Sequence, residues 1–105
     1  MNLCDEIMYI RGRVSKEELL AGLAKETSEL TQAALKYFLA IQGKNPAPLD
    51  VCASKLEEEA TAVFLYLAAI DVISEVGIPR EATRKYMIAK AAQWIYLLQK
   101  EEERL

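Results

Sequence analysis

Glu26, Glu29 and Glu59 combine a residue type and a spacing that could do chemistry in this 105-residue chain. From Leu19 to Ile41 the residues Leu19, Leu23, Leu30, Ala34, Tyr37 and Ile41 recur at helical spacing, the pattern of a helix with one face turned inward. Glu26 falls in the gap of that series, at the centre of the apolar stripe, and Glu29 lies at the stripe's edge one turn on. Glu59 repeats the arrangement further along, sharing a helical face with Val63, Tyr66 and Ile70. An ionised carboxylate turned towards a core is expensive unless a cation or a proton meets it. Antiparallel packing of the two helices would bring the three carboxylates together, and like charges that close ionise together only around a cation. Oxygen ligands without sulfur or imidazole select a hard divalent ion, Mg2+ or, as a substitute, Mn2+. The competing reading leaves these glutamates solvated or paired with Lys25, Lys36 or Lys55.

The elements that must position these residues are helices. Three prolines and four glycines leave little room for the turns of an all-β fold, and 52% apolar with 28% charged residues marks one globular domain spanning 1–105. Leu3, Ile7, Ile10 and Val14 predict a short first helix ending near Gly12. Ser15 followed by Glu18 fits a capping box that starts a second helix, which runs to about Gln42 with Gly43 as its stop. Gly22 inside that helix predicts a close approach of another backbone. Lys44-Asn45-Pro46-Ala47-Pro48 reads as a linker, after which Asp50 or Ser54 can cap a third helix ending at Val76-Gly77. Ile78-Pro79 restarts the chain into a fourth helix that ends in a frayed acidic tail, Glu101-Glu102-Glu103. From Ala60 to Ile73 the third helix is apolar nearly all round, so it should be covered on every side, in part by a second subunit of a homo-oligomer.

Composition also excludes several functions. The net charge of -3 argues against a nucleic-acid binder, and the absence of histidine removes imidazole bases, triads and metal ligands together. Cys4 and Cys52 lack metal-site spacing and read as two buried thiols of a reducing compartment. The nearly uncharged stretch from Ala60 to Ile70 is too short to cross a bilayer, and Cys4, Asp5 and Glu6 interrupt any signal peptide. A cytoplasmic protein with no membrane partner is expected.

Glu26-Thr-Ser-Glu29 followed by Glu59 resembles the paired acidic motifs, ExxE and then ExxD, of the MazG-like all-α nucleoside triphosphate pyrophosphohydrolases. The resemblance covers residues 19–98. It includes Leu19 to Leu30 with Ala33-Ala34-Leu35-Lys36, the linker Asn45-Pro46-Ala47-Pro48, and Lys90-Ala-Ala-Gln93-Trp94, which is similar to a KxxRW segment of one branch. It implies a four-to-five-helix bundle completed as a homodimer or homotetramer. It further implies hydrolysis of a nucleoside triphosphate to monophosphate and pyrophosphate, with Mg2+ held by Glu26, Glu29 and Glu59. Glu58 is a further possible ligand, Lys90 a phosphate partner, and Trp94 a substrate contact. Three positions depart from the pattern: Lys25 where the family often has Glu, Gln93 in place of Arg, and Ala62 in place of the ExxD aspartate. A methyl group cannot bind a metal, so the activity is expected to be impaired. The alternative is an inactive member that serves as a nucleotide-binding or oligomeric interaction module.

Overall fold

Four helices and no strand are present among residues 2–73 and 80–104, the residues described by this computed structural model. They are α1 (Leu3–Arg13), α2 (Lys16–Ile41), α3 (Leu49–Ala69) and α4 (Glu81–Glu103). The fold class is all-α, as composition predicts.

Local chemistry sets the helix ends. The Asn2 side chain accepts the Asp5 N–H at 2.8 Å and starts α1, whose acidic first turn and basic last turn both complement the helix dipole. Ser15 Oγ accepts the Glu18 N–H at 3.1 Å and starts α2; among the described residues only this half of the expected capping box forms. At the other end Gly43 takes a left-handed φ of 72°, Gly43 N–H donates to the Ala40 carbonyl at 3.0 Å, and Lys44 N–H donates to that of Leu39 at 2.8 Å. These paired bonds form a Schellman stop, and glycine suits it because a side chain disfavours that φ. Asn45 Oδ1 then accepts the Ala47 N–H at 2.9 Å, folding the linker into an Asx turn. Pro48, not Asp50 or Ser54, occupies the cap of α3. Asp50 lies in the first turn, where its charge still faces the positive end of the dipole.

α3 is shorter than expected. It stops at Ala69, and the expected boundary at Val76-Gly77 and restart at Ile78-Pro79 lie outside the described residues. Asp71 N–H donates to the Ala68 carbonyl at 3.0 Å and Val72 N–H to that of Leu67 at 2.9 Å, the same paired bonds that end α2. Here the left-handed residue is Asp71, with φ 71°, and aspartate is among the few side chains that tolerate it. Arg11 reaches over from α1 to donate to the Ala68 and Ala69 carbonyls at 2.8 and 3.2 Å, adding a second donor at Ala68 and supplying one at Ala69.

α2 and α3 pack as an antiparallel hairpin, with Gly22 opposite Tyr66, Glu29 opposite Glu59, and Ala33 beside Cys52. α1 lies against the C-terminal part of α3. The buried apolar residues are Ile7, Leu19, Ala33, Cys52, Ala68 and Ala69. The stripe on α2 therefore runs through Ala33 rather than Ala34, and Ile41 is exposed. With no side chain at Gly22, the Tyr66 ring sits where a Cβ would be, so the close approach is made by a side chain and not by a backbone. Gly22, Glu26, Glu29 and Ala33 lie on the face of α2 that meets α3.

The expectation that α3 is enclosed fails within one chain, where Phe64 and Leu65 remain exposed. α4 buries none of its residues and packs along no other described helix. Its acidic end, Glu101, Glu102 and Glu103, is helical and exposed. Among the described residues no helix is long and apolar enough to cross a membrane. Both cysteines are free thiols, but only Cys52 is buried; Cys4, near the start of α1, is half-buried.

Candidate metal centre

The α2–α3 seam brings Glu26, Glu29 and Glu59 together, each offering one carboxylate oxygen within 4.8 Å of the others. Glu26 and Glu29 are one turn apart on α2, and both are half-buried. Glu59 is only 7% exposed. Gly22, one turn before Glu26 on the same face of α2, lets that face approach α3 closely at Tyr66.

The electrostatics divide the trio. Glu26 titrates above the ordinary glutamate range, chiefly because burial penalises its charge and then because the charges of Glu29 and Glu59 lie beside it. Glu59 titrates below that range because Lys55 Nζ donates a hydrogen bond to it, which outweighs the penalty of burial. Lys55 Nζ lies 3.0 Å from Glu59 Oε1, one turn back on α3, and its own pKa is raised by the same bond. Lys55 was a candidate neutraliser on sequence grounds, and it is the lysine that reaches the seam. One ammonium thus faces three carboxylates, and the excess negative charge falls on Glu26.

The donor set fits a divalent cation of the Mg2+ type in kind: three hard oxygens, all within 4.8 Å of one another. It lacks a fourth ligand. Ala62, one turn after Glu59, is half-buried and carries no donor. Glu58 does not join the cluster; its exposed carboxylate lies 3.8 Å from Lys55 Nζ. Lys90 and Trp94 are not brought to it either, because both lie on α4, which does not pack on the seam. Next to the cluster, a cavity of about 250 Å3 opens between the linker and the two helices, with Lys36, Asn45 and Lys55 among its lining residues.

A second charged group, with no counterpart in the sequence pattern, surrounds Asp71. The Asp71 carboxylate pairs with Arg80 at the start of α4 and lies 3.6 Å from Arg11 Nη2, while Arg80 Nη1 donates to the Asp71 carbonyl at 2.6 Å. These arginines, Arg80 first, hold the Asp71 carboxyl below its usual range. No periodic signal marks Asp71, because its role depends on a left-handed turn that composition does not announce.

The chain matches no known family, no curated protein and no solved structure.

Proposed function

We propose that this protein is a Mg2+-dependent nucleoside triphosphate pyrophosphohydrolase with an incomplete ligand set. The observation that carries the proposal is the meeting of Glu26, Glu29 and Glu59 on one seam, with a single lysine against three carboxylates. Such a group lowers stability unless a further cation compensates it, so the fold alone gives no reason to keep it. When bound there, a divalent ion supplies charge neutralisation for a polyphosphate and acidifies a water. Glu26, Glu29 and Glu59 would hold the ion, and the second oxygen of one of these carboxylates would orient the attacking water. Lys55 would exchange Glu59 for a phosphate oxygen, and Lys36, on the same cavity, would donate to the next. The products are a nucleoside monophosphate and pyrophosphate.

The test is pyrophosphate release from a panel of nucleoside triphosphates in Mg2+, together with calorimetric titration of the metal. Ala62→Asp, which adds a carboxylate one turn from Glu59, is expected to raise release by at least about tenfold. No metal binding by the wild-type chain and no gain in the variant would end the proposal.

A second reading has its own support. The 3.0 Å Lys55–Glu59 ion pair and the methyl of Ala62 both suit a member that keeps the fold without hydrolysis and acts as a nucleotide-binding or interaction module. Under that reading a triphosphate binds without turnover, and Ala62→Asp changes neither binding nor release.

A further inference from the structure

We propose that the cavity between α1, α2 and α3 receives the nucleoside of the triphosphate, and that Glu18 at its mouth selects a base with two neighbouring N–H donors, guanine ahead of adenine, cytosine and uracil. The proposal rests on the pyrophosphohydrolase reading of the carboxylate seam and adds to it a place for the base.

The order of groups along α2 directs the nucleoside there. Lys36, Glu29, Gly22 and Glu18 fall within about 40° of one another around the helix, so they form one line along its seam face. Lys36 stands at the linker end of that line, on the cavity it shares with Lys55. Release of pyrophosphate parts a triphosphate between its first and second phosphates. With the lysines on the outer two, the nucleoside extends from the carboxylates the other way, past Gly22, and the α1–α2–α3 cavity opens there. Glu18 lies about 16 Å beyond Glu29 along the axis, a length shared between the nucleoside and the reach of two glutamate side chains. The linker cavity suits the base poorly. Its one amide is occupied in folding the linker: Asn45 Oδ1 accepts the Ala47 N–H at 2.9 Å, and Nδ2 donates to the Lys36 carbonyl and to Cys52 Sγ at 3.2 and 3.9 Å.

The cavity itself has the size and lining of a base site. It measures about 290 Å3, at the small end for an organic ligand. Leu19 and Ala69 are buried and form its floor, while Leu65 and Glu18 are exposed at its mouth. Between them Tyr66 offers an aromatic face, on which any base can stack. Glu18 is the charged residue of the lining, and among the described residues no lysine or arginine pairs with it. A carboxylate only accepts, with two oxygens side by side. Guanine offers it two adjacent N–H groups, one in the ring and one exocyclic. Adenine and cytosine offer an amine beside a bare ring nitrogen. Uracil flanks its ring N–H with two carbonyl oxygens, which a carboxylate repels.

The experiment is calorimetric titration of the full chain in Mg2+ with the α,β-methylene analogues of the four nucleoside triphosphates, which resist cleavage at that bond, and with inorganic tripolyphosphate. The guanosine analogue should bind at least about tenfold more tightly than the uridine analogue. Glu18→Gln should erase most of that gap, and Glu18→Lys, a donor in place of an acceptor, should reverse it. Leu65→Trp, which fills the mouth, should remove most of the advantage that all four analogues hold over tripolyphosphate. Tripolyphosphate should bind all these variants as it binds the wild-type chain, which guards against a general loss of folding. Four analogues of equal affinity, none better than tripolyphosphate, would overturn the base site and leave the carboxylate seam standing. So would a guanosine preference that survives Glu18→Lys. If neither tripolyphosphate nor any analogue binds in Mg2+, the reading of the seam falls, and this proposal falls with it.

Discussion

Two carboxylate clusters on α3 are built on opposite plans. At Glu59, in the middle of the helix, three carboxylates share one lysine; at Asp71, just beyond its end, one carboxylate shares two arginines. The Asp71 group has an evident structural task. It holds a non-glycine residue in the left-handed turn that ends α3, ties α1 to that end through Arg11, and fixes the start of α4 through Arg80. The Glu59 group has no such task, and its surplus charge works against folding. The difference teaches where to look for function: at the cluster whose charges the fold leaves unbalanced.

The largest effect that would sharpen this comparison is on metal affinity. Glu29→Gln or Glu59→Gln should weaken Mg2+ or Mn2+ binding by about a hundredfold, read by calorimetry, since each removes a charged oxygen from a set of three. Asp71→Ala should leave that affinity unchanged. In metal-free buffer Glu26→Gln should raise Tm by a few degrees, because the carboxylate it neutralises has no cation of its own. A Tm that does not move would mean that Glu26 is solvated in the folded chain and that the imbalance does not exist.

Asp71→Ala should lower Tm by several degrees, by removing both arginine partners while keeping a side chain at a left-handed φ. Asp71→Gly should cost less, since glycine adopts that φ without strain. Equal losses in the two variants would show that the turn carries no strain and that the arginine pairing alone matters.

Sequence and structure meet unevenly across these two clusters. The convergence of Glu26, Glu29 and Glu59 was legible because helical periodicity places a side chain on a face, and a short linker makes neighbouring helices antiparallel. The caps at Ser15 and Gly43 were legible because their chemistry is local. The end of α3 was not: nothing in the apolar run from Ala60 to Ile73 announces that the chain turns left-handed at Asp71, and the arginines that support it come from sixty residues earlier and nine later. Nor was the partner of Gly22, because the space there is filled by a tyrosine ring from the next helix.

Smaller, but diagnostic in sign, is the pH dependence. Asp71 and Glu59 titrate below their ordinary values, so the stability they contribute is present at neutral pH and is lost as pH falls through their folded-state values. Glu26 titrates above its ordinary value. Between the two values the folded chain keeps a proton that the unfolded chain gives up, so stability falls as pH rises through that window. In metal-free buffer the Tm profile should therefore pass through a maximum in the mildly acidic range. Glu26→Gln should flatten its neutral side, and Asp71→Ala its acidic side. A profile that Glu26→Gln leaves unchanged would place the titration elsewhere.

The smallest effect expected tests how the seam is spaced. Gly22→Ala would gain about 1 kcal/mol of helix propensity if the site were open. Instead the new Cβ meets the Tyr66 ring at 2.3 Å, and overpacking of that kind costs about 1–3 kcal/mol, so the net change should be a loss of roughly 1 kcal/mol. Tyr66→Ala should reverse the sign: in that background Gly22→Ala gains stability, because the propensity term is left unopposed. Gly22 lies one turn before Glu26, and Tyr66 two turns after Glu59, so a wedge between them also spreads the carboxylates. Metal affinity should fall in Gly22→Ala while the acidic side of the pH profile, set at Asp71, stays where it was. If affinity and the Asp71-dependent side moved together, the two clusters would be coupled through α3 and could not be treated as separate devices.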